Sequence, residues 1–260
     1  MNRAMPSVRC GGRSVPRVAT FLLALCVSST AAAARSEPPN RRLDDFESRL
    51  AQDPANLRVA AEYRQLVIET GRYDRCIRFF ERLAKDPRGG ANRFLNLALA
   101  NVDKVPVSGS VRRALLGREA LNALTRAIAI EPTDLAYLIR GLVNLYYDQF
   151  VFHRTDKGVA DLEAARELAA SHPQIAYAPR ILVALGDGYW RLNRPDHARS
   201  IWREGLEAFP DQETFRIRLD ARADQIPDII ERALDAGVRV DTTLRELYPD
   251  LPRASWKAIQ

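Results

Sequence analysis

Few residues in this chain have the types and spacing that chemistry requires. The three histidines are His153, His172 and His197, and none has a second histidine or a cysteine at the spacing of a zinc site. The run Gly186-Asp187-Gly188-Tyr189 sets glycines around a carboxylate. No Gly-Lys-Ser/Thr follows it, so it lacks the lysine and hydroxyl of a phosphate-binding loop. A Gly-x-Ser-x-Gly nucleophile turn is also missing. Cys76 would need a neighbouring base to act as a nucleophile, and its place in an apolar helical pattern predicts a buried, inert thiol. The acid pairs Asp44–Asp45 and Glu163–Glu167 fall on expected solvated helix faces. Asp187 beside Trp190 is the one carboxylate in a candidate setting, but no second polar group accompanies it for proton transfer. The sequence therefore predicts no catalytic residue, no metal ligand and no cofactor, and points to binding.

The elements that would position a binding surface are helices. From Arg41 to about Gly237 apolar residues recur at three and four, with alanine, leucine, arginine and glutamate dominant and no persuasive alternating strand. Pro54, Pro87, Pro132, Pro173 and Pro210 punctuate this pattern, as residues that end or begin helices. The 260 residues are 47% hydrophobic and 28% charged, enough for a real core in a water-exposed chain.

The N-terminus predicts export. Arg3, Arg9, Arg13 and Arg17 precede the apolar run Val18–Val27, and small residues follow to Arg35. A basic leader, a short apolar core and an Ala-x-Ala site describe a secretory signal peptide over residues 1–34, with cleavage expected after Ala33 or Ala34. The run is too short for a permanent membrane span. Removing the leader's four arginines, with no acidic residue among them, takes the net charge from +6 to +2. Together with the lack of a dense basic run, that argues against nucleic acid as a partner. Leu25 stands before Cys26, where lipid attachment wants a small residue, which argues against an anchor there. With Cys10 and Cys26 in the leader, the mature chain keeps only Cys76 and forms no internal disulfide. The expected organisation is a signal peptide (1–34), a linker (35–40), a helical repeat domain (41–236) and a C-terminal tail with a short helix (237–260).

One stretch supplies a repeat template. Leu182, Leu185, Gly186 and Tyr189 fall on one helix, Ala198, Trp202 and Gly205 on the next, and Pro210 closes the unit. Small residues would sit where two antiparallel helices cross, with Tyr189 and Trp202 filling the space beside them. Asn193 and Pro195 suit the turn between. This pattern resembles the tetratricopeptide repeat, W-x2-L-G-x2-Y followed by A-x3-F and a proline. Weaker copies begin at Ala60, Phe94 and Tyr137: Ala60, Tyr63, Arg64 and Val67 with Cys76, Phe80, Leu83 and Pro87; Phe94, Leu97, Ala98 and Asn101 with Ala120, Leu124, Ala127 and Pro132; Tyr137, Arg140, Gly141 and Asn144 with Gly158, Leu162 and Ala165. The resemblance covers about residues 41–211, and Arg64 departs from it by standing where a small residue is expected. It implies an all-α, right-handed α-solenoid of about four helix pairs. Residues 41–54 would cap the N-terminal end, and two closing helices, the second opening at Pro227 and ending before Gly237, would cap the C-terminal end.

Unit starts at 60, 94, 137 and 182 are separated by 34, 43 and 45 residues, against a period of 34. The second and third units thus carry insertions of about ten residues, within 105–117 and 148–157. Both lie between paired helices, so they should meet on one edge and present Arg112, Arg113, Phe150, Phe152, His153 and Arg154. The alternative is that they lengthen helices and cover each other. In the tetratricopeptide family the first helices line a concave groove. Projection of the template places Leu95, Leu99, Leu138, Leu142, Leu145, Val183, Asp187 and Trp190 there, together with Val102. A groove this apolar would be covered or used; a shift of register by one would make these leucines core. Asn101 and Asn144 are equivalent and could pair between adjacent first helices.

The expected function is an exported, periplasmic adaptor or scaffold that binds a protein or peptide through the groove, the insertion edge or both, and is not an enzyme. A homo-oligomer is left open. One alternative is a solute-handling accessory protein, similar to a periplasmic repeat component of organic-acid transporters, with an enclosed cavity lined by Leu138, Leu142 and Trp190. A second is a regulatory or catalytic subunit with a cluster at His153 and Asp156.

Overall fold

The structure, a computed structural model, describes residues 39–147, 153–172, 175–235 and 242–251. Among them lie eleven α-helices and no strand. An N-terminal cap, α1 (Pro39–Gln52), precedes four pairs: α2 (Leu57–Thr70) with α3 (Tyr73–Leu83), α4 (Asn92–Lys104) with α5 (Ser110–Ile130), α6 (Asp134–Tyr147) with α7 (Thr155–Ala169), and α8 (Ala178–Arg191) with α9 (Pro195–Ala208). Two closing helices follow, α10 (Glu213–Asp220) and α11 (Ile226–Asp235). Each helix packs on its chain neighbours through α10, and the first helices of units one and two and of units three and four also touch, α2 with α4 and α6 with α8. This is the packing of a tetratricopeptide solenoid. No helix of the described residues is long and apolar enough to cross a membrane.

Local signals set the helix ends. Asn56 accepts a hydrogen bond from the Val59 N–H at 3.0 Å and caps α2, and Gly71, at φ +68°, turns the chain out of it. Asn193 takes φ +56° between α8 and α9, a conformation asparagine tolerates, and Pro195 opens α9.

The crossings depend on missing side chains, as the repeat predicts. A Cβ on Gly186 would lie 2.2 Å from Trp202 Nε1, and one on Gly205 would lie 2.2 Å from the Phe215 ring. At the α6–α7 crossing, Gly141 and Gly158 face each other, and a Cβ on either would meet the other's carbonyl oxygen at 3.1 Å. Ala198 and Trp202 are fully buried. Tyr189 fills only in part, packed against the core cluster at its edge. It is half-buried, and its hydroxyl reaches outward to donate to Glu163 Oε1 at 2.6 Å.

The first insertion becomes helix. A short 3-10 turn at Val105–Val107 leads into α5, whose 21 residues exceed the 11 to 15 of the other paired helices. The added turns pack on the end of α6: the Tyr147 hydroxyl donates to the Arg113 carbonyl at 2.5 Å, over Gly117. This is the helix-lengthening alternative for that insertion. At the C-terminus, residues 242–251 form turns and not a helix, and they pack back on the solenoid.

Candidate protein-interaction face

The first helices α2, α4, α6 and α8 make one face, and their apolar residues are not bare. Leu95, Leu99, Val102, Leu138 and Leu145 are less than 5% exposed and Leu142 is 8% exposed; Val183 and Trp190 are half-buried. The reading of these leucines as an open groove is therefore corrected. They belong to one buried cluster with Ile226, Ile230 and Leu234 of α11 and Leu244 of the C-terminal segment. Helix α6 is mostly apolar and mostly buried, with only Asp134, Tyr137 and Arg140 half-buried. It packs on α7 within its own unit and on α11, which returns from the far end of the chain.

Residues 242–251 continue that return across α2, α4 and α8. Arg64 on α2 donates to Asp103 Oδ2 on α4 at 3.0 Å and to the Thr242 carbonyl at 2.8 Å. The Thr242 hydroxyl donates to the other carboxylate oxygen, Oδ1. All three residues are at most 2% exposed. Burying a guanidinium and a carboxylate is costly, and the cost is offset only when their remaining hydrogen-bonding groups are met. Thr242 meets part of that need, with a carbonyl for one partner and a hydroxyl for the other, while the buried Arg64 Nε has no hydrogen-bond partner. Leu244 and Leu251 are buried at 2% and 4% exposure. Glu246 reaches Arg180 on α8 at 3.5 Å, Asp250 pairs with Arg58 on α2, and the Arg58 guanidinium lies 5.7 Å from the Tyr248 ring centroid. The hydrogen bond from Arg58 holds the Asp250 carboxyl below its usual range.

Sequence reasoning missed this cluster, although Arg64 carried a signal. An arginine in place of a small residue at a helix crossing needs a carboxylate, and Asp103 lies one repeat along. Thr242 had no comparable signal.

The insertion edge is assembled only in part. Arg112 is exposed, as are Val111 (79%), Leu115 (41%) and Val107 (39%), while Arg113 is half-buried and its Nε donates to the Ser108 carbonyl at 2.7 Å. His153 is exposed; Phe150 and Phe152 lie outside the described residues. Arg154 is half-buried and part of a network. Its Nε donates to Asn144 Oδ1 at 2.8 Å, Asn144 Nδ2 donates to Asp161 Oδ2 at 2.9 Å, and Asp161 receives both Nε and a terminal nitrogen of Arg140. Asn144 therefore does not pair with Asn101, whose Nδ2 donates to the Leu97 carbonyl of its own helix at 2.9 Å.

The remaining candidates for chemistry are placed as follows. Asp187 is not in a groove. It is buried in a two-pronged pair with Arg218 of α10, at 2.6 and 2.7 Å. Burial pushes its carboxyl up, and Arg218 pulls against that. Burial also raises the Cys76 thiol well above its ordinary range. No group of three or more His, Cys, Asp or Glu among the described residues could hold a metal ion. His153 and Asp156 are both exposed. Leu138 and Leu142 lie in the core and Trp190 stacks on Trp202 with centroids 5.8 Å apart, so they do not line an enclosed cavity. An open cleft of about 490 Å³ lies elsewhere, between Arg166 and Ala169 of α7, Ile181 of α8 and Glu204 of α9.

Comparison with known proteins agrees with this architecture. The family model of the tetratricopeptide repeat matches residues 179–223. A search of curated proteins finds no significant match. Among solved structures the chain is similar to a thermophilic TPR protein from Thermus thermophilus, at a TM-score of 0.51 and 24% identity, over 73% of this chain and 91% of that one. The chain thus carries a segment that matches the tetratricopeptide repeat at residues 179–223, within a helical solenoid of the same fold as that TPR protein.

Proposed function

We propose that this protein is an exported, non-enzymatic adaptor that binds a protein partner through the face formed by its first helices. A tetratricopeptide fold suggests protein interaction. The observation that carries the choice of face is that it already seats a stretch of polypeptide, residues 242–251, by main-chain, hydroxyl, carboxylate and leucine contacts at once. A surface that meets all four kinds of group on one segment is suited to reading another. Export rests on the leader-like residues 1–34.

A second reading is favoured by Val107, Val111 and Leu115, which are exposed beside Arg112 and would place the contact on the insertion edge. One experiment separates the two. A photo-crosslinking amino acid is placed at position 183, on the first-helix face, and separately at 111. A discrete, saturable crosslink from 183 supports the proposal; a crosslink from 111 alone moves the contact to the insertion edge. N-terminal sequencing of the chain recovered from envelope fractions should start at Ala34 or Arg35. An intact leader on a cytosolic chain would overturn export.

A further inference from the structure

Building on the first-helix face as the binding surface, we infer that residues 242–251 are a displaceable resident ligand, and that the partner docks by a short segment of the same chemistry. That chemistry is read from the contacts. A hydroxyl residue serves Arg64 and Asp103, as Thr242 does. An apolar residue two positions on fills the site of Leu244, an acid two further on meets Arg180, and an acid followed by an apolar residue takes the places of Asp250 and Leu251. The sites lie on α2, α4 and α8, so one peptide bridges three of the four repeat units.

Two features make the resident segment displaceable. Leu244 is held at φ +56°, a left-handed backbone that leucine rarely adopts, so a ligand making the same contacts without that strain has the advantage. The charged contacts at its far end are also weak: Arg58 and Asp250 are exposed at 46% and 62%, in a setting where ion pairs hold little. The inner end differs. When Thr242 leaves, the buried Arg64–Asp103 pair loses a carbonyl acceptor and a hydroxyl donor together, and only water or another segment of like chemistry replaces both. The face therefore selects its ligand at Thr242 and releases it from Asp250.

A labelled peptide with the sequence of residues 241–252, DTTLRELYPDLP, tests this by fluorescence anisotropy on the full chain. A tethered segment competes at an effective concentration near millimolar, so the peptide should bind wild type weakly and a Leu244→Asp variant about tenfold tighter or more. A peptide with valine for the first threonine and lysines for the acids should bind neither. Should Leu244→Asp lose helical signal, Glu246→Lys with Asp250→Lys, both outside the core, carries the test with the same direction. Equal peptide affinity for wild type and a variant whose segment has lost hydrogen-exchange protection would overturn the inference. So would a wild-type dimer by light scattering that Leu244→Asp abolishes without changing peptide affinity, since the occupant would then be a second copy of the chain. Peptide failure with crosslinks from 183 intact refutes this ligand chemistry and leaves the adaptor reading standing. Competitive peptide binding with no crosslink from 183 does the reverse.

Discussion

Gly186→Ala should destabilise the protein even though alanine is the better helix former. Propensity alone would favour alanine by about 1 kcal/mol in a helix interior. Against this, the new methyl would sit 2.2 Å from Trp202 Nε1 and 2.5 Å from Cδ1, far inside van der Waals contact. The indole has nowhere to retreat: it is fully buried, and Trp190 is stacked on it at 5.8 Å and 25°. Overpacking of a close-packed site costs about 1–3 kcal/mol, and an overlap of this depth belongs at the top of that range. After the propensity gain the net loss is about 2 kcal/mol. For a chain of this size that lowers the melting midpoint by about 4–8 °C. The assay is thermal and urea unfolding followed by far-UV circular dichroism, with tryptophan fluorescence reporting the crossing itself. Trp202→Phe shortens the ring, so the double variant should lose clearly less than the sum of the two single losses. A Gly186→Ala protein that melts at or above wild type, or a strictly additive double variant, would refute the argument that this crossing depends on a missing side chain.

Two further outcomes follow from the C-terminal return. Asp103→Asn leaves Arg64 buried without its counter-charge and should cost about 3–5 kcal/mol in urea unfolding, while Arg64→Met with Asp103→Leu should recover most of that; an unchanged midpoint for Asp103→Asn would show that the pair is not desolvated. The second concerns pH. Arg58 lowers the Asp250 carboxyl only in the docked segment, so its support is present above the ordinary carboxylate range and is lost as pH falls through the lowered value. Hydrogen-exchange protection of residues 242–251, corrected for intrinsic rates, should fall on acidification through that window, and Asp250→Asn should flatten the dependence; a profile identical in the two proteins would assign the effect to another group.

The architecture was legible because its determinants are local. Apolar residues spaced at three and four marked the helices, Asn193 and Pro195 marked the turn between α8 and α9, and Gly186, Ala198 and Gly205 marked a crossing that recurs along the chain. The unequal spacing of the units also located the insertion that became the long α5. Side-chain partners were less accessible. Asn144 was expected to pair with its repeat equivalent and instead joins Asp161 and Arg154, because a neighbouring carboxylate and guanidinium bind the amide more strongly than another amide would.

The pattern of residue types therefore carries the repeat: which residues are helical, where helices end, and which side of each is apolar. Whether the apolar side of the first helices faces water depends instead on long-range packing. A helical period tells which face must be covered but not by what. Here the cover is α11 and residues 242–251, and Arg64 finds Asp103 and Thr242 across 39 and 178 residues. Contacts that distant leave no periodic trace in the chain, because they are selected by complementary charge and shape once the solenoid has brought its two ends together.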